Sequence, residues 1–185
     1  MNDETAPTSR PEPEPWTPLP KVLLVLTATL VVGGWAVFAM TYPGLPERIP
    51  GHFGLHGEVT RWDEKPTAWF LPVALTVCAA VTAALMFFPQ VANVPARPKS
   101  PAVWQRLYLL SRNLLGWISV LVAMLLVGGV LTQAAASGTG FMLVLVVATV
   151  AVCAYYTVRM VRAAKGEEAG QAGQVEEAEE AEQSA

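Results

Sequence analysis

Charge is scarce in this chain. Asp, Glu, Lys and Arg make up 15% of its 185 residues, whereas 53% are hydrophobic. A soluble domain carries about 25% charged residues. The deficit, with a mean hydropathy of +0.40, argues against a soluble globular domain. The length suits one domain, but the apolar residues lie in long runs rather than in a periodic scatter. The chain therefore reads as one integral membrane unit with polar tails.

Other scarcities exclude particular chemistries. The two cysteines, Cys78 and Cys153, both fall inside apolar runs. They form no disulfide framework and read as small apolar side chains of lipid-buried helices. There are two histidines, His52 and His56. Their i, i+4 spacing would put two ligands on one face of a helix, but Pro50, Gly51, Gly54 and Gly57 argue against a helix there. No cysteine lies nearby, and Glu58 is the one obvious third ligand. No metal and no cofactor are expected; His52 reads as a hydrogen-bonded structural residue and His56 as a surface one. No nucleophile motif, phosphate loop or nucleotide fingerprint occurs. The apolar runs hold no Asp, Glu, Lys or His, where ion-coupled transporters and proton pumps place their ionisable groups. Glu47, Glu58, Asp63 and Glu64 alternate with Arg48, Arg61 and Lys65 and read as a salt-bridged loop surface rather than a catalytic cluster. An enzyme is not expected.

What the chain does have is apolar runs. Four stretches, 22–41, 68–88, 107–132 and 141–161, are long enough to cross a bilayer. Lipid offers the backbone no hydrogen bonds, so each is expected to be helical. Residues 1–20, with the run PEPEP, read as a disordered tail and make a poor signal-peptide start, being long and acidic. Residues 163–185 carry Glu167, Glu168, Glu176, Glu177, Glu179, Glu180 and Glu182. Clustered like charge without an apolar face predicts a second disordered tail, although Glu, Ala and Gln are helix formers. Residues 21–162 are the expected membrane domain: all-α, four transmembrane helices in two antiparallel hairpins. The short, uncharged connector after residue 132 makes the last two helices antiparallel neighbours.

Basic residues choose the orientation. Arg10, Lys21, Arg97, Lys99, Arg106, Arg112, Arg159, Arg162 and Lys165 fall on one side of a four-span topology, and Arg48, Arg61 and Lys65 on the other. The positive-inside rule then puts both termini in the cytoplasm of a cell membrane. Arg106 and Arg112, beside Trp104 and Tyr108, read as snorkelling at the inner head groups. Thr27, Thr29, Thr76, Thr82, Ser119 and Thr149 read as helix–helix hydrogen bonders, and the pairs Gly33-Gly34 and Gly128-Gly129 as points of close helix approach.

The segment 42–67 is the long polar loop between the first two runs. Pro43, Pro46 and Pro50 stiffen its first half, and Gly51, Gly54 and Gly57 allow unusual backbone angles in its middle. An ordered external loop is expected, with extended pieces near 49–53 and 59–62, held down by Ile49, Phe53, Leu55, Val59 and Trp62.

The spacing YP-x-LP-x-x-IP-x-HF-x-x-x-G-x-x-x-RW-x-x-K falls on Pro43, Leu45, Pro46, Ile49, Pro50, His52, Phe53, Gly57, Arg61, Trp62 and Lys65. Together with the preceding apolar run it resembles the bacterial family named domain of unknown function 1648. The same module begins an immunity protein against a secreted sporulation-delaying toxin. The resemblance implies a non-enzymatic recognition, signalling or immunity-type role carried by the loop. Pro43, Pro46, Pro50, His52, Phe53, Gly57, Arg61, Trp62 and Lys65 are then the candidate site residues. The expected partners are the lipid bilayer and an extracytoplasmic peptide or membrane protein, not nucleic acid. The other reading, from the glycine pairs, is an accessory subunit of a membrane transporter.

Overall fold

The structure is a computed structural model that describes residues 10–54, 57–91, 100–135 and 139–183, with backbone alone at 53, 135, 139, 141 and 167–183. The described elements run α1 (Pro18–Thr41), β1 (Arg48–Phe53), β2 (Val59–Glu64), α2 (Phe70–Leu85), α3 (Pro101–Ala135) and α4 (Thr139–Gln183). Short 3₁₀ turns at Tyr42–Gly44, Lys65–Trp69 and Pro89–Val91 join them. All four helices are long and apolar enough to cross a membrane. This makes a multi-pass membrane architecture, in which the lipid-facing sides stay apolar: Val22, Val25, Val32, Val77, Val81, Val147 and Val150 are all exposed.

Helix α3 is the hub. Half of its apolar span is buried, 50% against 22%, 22% and 17% for α1, α2 and α4. It packs against each of the other three, while α1 and α2 meet sparsely. The first two helices thus do not pair as a close hairpin; each docks on α3. The reason lies in small residues. A side chain at Gly34 would meet Leu126 at 2.9 Å, one at Gly116 would meet Leu23 at 2.8 Å, and one at Gly129 would meet Leu71 at 2.6 Å. These glycines let α1 and α2 approach α3 closely, which is how helices gain packing energy in lipid. A buried hydroxyl pair, Thr27 Oγ1 and Ser119 Oγ at 2.9 Å, joins α1 to α3. Thr76 Oγ1 accepts a bond from Trp35 Nε1 at 2.9 Å, joining α2 to α1. Thr29, Thr82 and Thr149 instead donate back to carbonyls of their own helices.

Residues 10–17 and 163–183 depart from the composition-based reading of the tails; residues 1–9, 184 and 185 lie outside the described residues. Residues 10–17 lie across the start of α3. Arg10 donates to the Gln90 carbonyl. The Glu14 N–H donates to Gln105 Oε1, and Gln105 Nε2 donates to the Glu12 carbonyl at 2.7 Å. Trp16 stacks on Phe87, with ring centroids 4.7 Å apart. Proline lowers the cost of fixing such an extended strap because its φ is already set. Helix α1 starts at Pro18, because proline suits a first helical position. At the other end, α4 continues to Gln183 through the segment expected to be disordered; the helix propensity of Glu, Ala and Gln prevails there over charge repulsion.

Arg112 also departs from expectation. It is 6% exposed rather than snorkelling to solvent. Its Nε donates to the Met86 carbonyl at 3.3 Å and its Nη1 to the Glu14 carbonyl at 2.7 Å. The guanidinium, 5.5 Å from the Trp16 ring centroid, therefore caps the C-terminal end of α2 and clamps the strap.

Candidate functional site: a β-hairpin over a cleft

Strands β1 and β2 form a two-stranded antiparallel sheet between α1 and α2. Arg48 pairs with Glu64, Ile49 with Asp63, Pro50 with Trp62, His52 with Arg61 and Phe53 with Val59. The register shifts between Pro50 and His52, so Gly51 is the bulged residue. The bulge suits glycine because the Asp63 carboxylate lies where a β-carbon would sit. The turn closes through Gly54 N–H to the Glu58 carbonyl at 2.8 Å and Gly57 N–H to the Gly54 carbonyl at 3.0 Å. Gly57 has φ 86°, which a side chain would disfavour. Leu55 and His56 lie outside the described residues.

An isolated two-stranded hairpin is marginal in water, and three features hold this one. Ile49 is 1% exposed and joins Phe38, Leu45, Ala68, Leu126 and Val130 in one apolar core. Trp35, Phe38, Tyr42 and Trp69 form an aromatic clasp below the hairpin; the Phe38–Trp69 and Tyr42–Trp69 centroids are 4.9 and 5.5 Å apart. Lys65 closes the base. Its N–H donates to the Glu47 carbonyl, its Nζ donates to the Pro43 carbonyl at 3.1 Å, and it stands 5.4 Å from the Tyr42 ring centroid.

Between the hairpin and the helix ends lies a cleft of about 690 Å³. Ile49, Phe70, Leu71 and Met142 supply apolar wall, and His52, Arg61, Asp63, Thr132 and Gln133 supply polar groups. The strand period of two puts Arg61 and Asp63 on one face. They form an ion pair at 2.8 Å, with Asp63 the less exposed partner. Arg61 Nη2 also donates to the Gly51 carbonyl at 3.4 Å. Gln133 Oε1 is buried with no hydrogen-bond partner among the described residues, and a buried acceptor of this kind favours an incoming donor. An apolar floor with a fixed ion pair and a spare acceptor suits an amphipathic occupant.

The expected site residues divide. His52 and Arg61 line the cleft, and Pro50 is buried in its wall. His52 is exposed on β1. Trp62 is 53% exposed. Pro43 and Pro46 are exposed; Lys65 and Gly57 shape the loop without lining the cleft. Of Phe53 the backbone alone is described. Sequence reasoning missed Trp35 and Phe38, although with Tyr42 they follow i, i+3, i+7 spacing, the signature of one helical face. It also missed Thr132, Gln133 and Met142, which come from helices far along the chain and carry no local signal.

Residues 29–76 match the family model described as Domain of unknown function (DUF1648). An uncharacterized protein of Archaeoglobus fulgidus is 33% identical over 92 residues, 45% of this chain and 50% of that protein. The matched stretch thus spans half the length of that relative, and it carries the likeness into an archaeon. No solved structure matches the chain. The matched range takes in the second half of α1, the whole hairpin and the start of α2. The hairpin and the aromatic clasp thus lie within the stretch that matches the DUF1648 model, in a chain with four membrane-type helices.

Proposed function

We propose that this is a non-enzymatic membrane protein that uses the 42–65 hairpin and its cleft to recognise an extracytoplasmic peptide or membrane-protein segment, in a signalling or immunity-type role. The observation that carries this reading is the cleft itself. It is about 690 Å³, a size suited to one or two side chains of an extended peptide. The spare Gln133 acceptor suits a peptide N–H, the Arg61–Asp63 pair suits polar groups, and the apolar floor suits a hydrophobic side chain. Arg106, Arg112, Arg159 and Arg162 lie toward the helix ends opposite the hairpin, which favours an external hairpin and cytoplasmic termini. The transporter-subunit reading has less support, because Gly34 and Gly129 are already occupied by contacts inside the molecule, while Gly33 faces open space.

The test is a photo-crosslinking amino acid placed at Phe70, an exposed residue of the cleft wall, in living cells. A discrete adduct that Gln133→Leu or Ile49→Ala abolishes is the expected result. An adduct pattern indifferent to both changes, or equal to that of a crosslinker placed on the lipid face at Val147, would sink the reading.

A further inference from the structure

At the end of the helices remote from the hairpin, three arginines from two helices open onto one pocket. Arg106 stands in the early turns of α3, and Arg159 and Arg162 stand on α4. With Ser100, Val103 and Ala163 they line a space of about 570 Å³. None of the three makes an ion pair among the described residues. Arg112, by contrast, is used up on the Met86 and Glu14 carbonyls and does not join them. Arg159 is pre-positioned: its Nη1 donates to the Tyr155 hydroxyl at 3.0 Å, and its guanidinium carbon lies 5.6 Å from that ring's centroid. Three like charges facing one space repel one another unless an anion joins them.

Depth along the membrane says which anion. The apolar span of α3 runs over 34 residues; at a rise of ~1.5 Å each it is ~51 Å long, well beyond a ~30 Å hydrocarbon core. Its first turns therefore stand at head-group level, and the three arginines with them. The flank of the pocket is apolar and open, with Tyr155 55% and Val158 47% exposed on α4. We propose that this pocket binds the phosphate of an anionic phospholipid headgroup. Arg106, Arg159 and Arg162 grip the phosphate oxygens, and an acyl chain lies along Tyr155 and Val158. Guanidinium groups suit this because they donate paired, parallel hydrogen bonds to phosphate oxygens. The assignment is independent of the recognition role at the opposite end.

Native mass spectrometry of the full chain in detergent, with phosphatidylglycerol or phosphatidylcholine of matched chains, tests it. Preferential retention of phosphatidylglycerol is expected. Each of Arg106→Gln, Arg159→Gln and Arg162→Gln should weaken it about fivefold, and Arg48→Gln on the hairpin should leave it unchanged. The arginines are exposed, so these variants keep the fold; Arg106→Lys and Arg162→Lys, which retain charge, should retain part of the preference. Equal retention of the two lipids would overturn the assignment, as would retention unaffected by the glutamine variants. So would inorganic phosphate raising the melting temperature as much as phosphatidylglycerol with the same arginine dependence, which would mark a free-anion site.

Discussion

Ile49 and Arg112 show what single side chains contribute. Ile49 carries the hairpin's contact with the helical core, being 1% exposed among Phe38, Leu126 and Val130. Ile49→Ala is expected to cost about 2–5 kcal/mol, the range for truncating a buried aliphatic side chain, read as a lower melting temperature. Arg112 satisfies two carbonyls that no other side chain reaches in the described residues. Arg112→Ala should cost about 1.5–3 kcal/mol, the range for hydrogen bonds to a charged group. It should also release the strap, so that amides of residues 10–17 exchange with deuterium faster while those of β1 and β2 do not. If both regions keep wild-type exchange, Arg112 does not clamp the strap. Both effects depend on partners 26 or more residues away in the chain. Sequence alone thus placed Arg112 at the membrane surface, where isolated arginines near a helix end ordinarily go.

Among the elements, the hairpin depends on two glycines for different reasons. Gly57 sits at φ 86°, where an L-residue costs roughly 1–2 kcal/mol. Gly57→Val should loosen the turn, seen as faster exchange of the Gly54 and Val59 amides. Gly51→Ala should displace Asp63 and separate it from Arg61, because the carboxylate lies where the new β-carbon would be; lost crosslinking at Phe70 would report it. The extended pieces were legible from the Pro and Gly spacing around 49–53 and 59–62. The bulge was not, since a one-residue register shift leaves no mark on local composition. The strap before α1 was misread for a related reason. Composition gives the cost of ordering a tail, but not the contacts, here Trp16 on Phe87 and Gln105 on Glu12, that offset it.

For the molecule as a whole, the central position of α3 governs stability. Gly129→Leu would drive a side chain into Leu71, separating α2 from α3 at a cost of about 1–3 kcal/mol, checked by thermal unfolding in detergent. The same change reaches the cleft, because Leu71 and Gly129 both line it. Orientation belongs to this scale too. With Cys78 and Cys153 replaced by Ala, Thr60→Cys should react with a membrane-impermeant thiol reagent on intact cells and Lys165→Cys only after lysis. The reverse pattern would turn the hairpin inward and move the search for partners to the cytoplasm.

By itself the sequence determined the membrane architecture, because a charge-free apolar run of some 20 residues has no other stable home than a spanning helix. It also determined the loop module, because Pro, Gly and His-Phe spacings are local properties that survive in any surroundings. Tertiary structure alone decided which helix is central, which glycines are spent on packing, and that Gln133 and Met142 meet Arg61 and Asp63 at one cleft. It alone gathered Arg106, Arg159 and Arg162 at another pocket. Those outcomes join residues tens of positions apart. Hydropathy in lipid is nearly uniform along each helix, so the periodic signal that marks a buried face in water is missing.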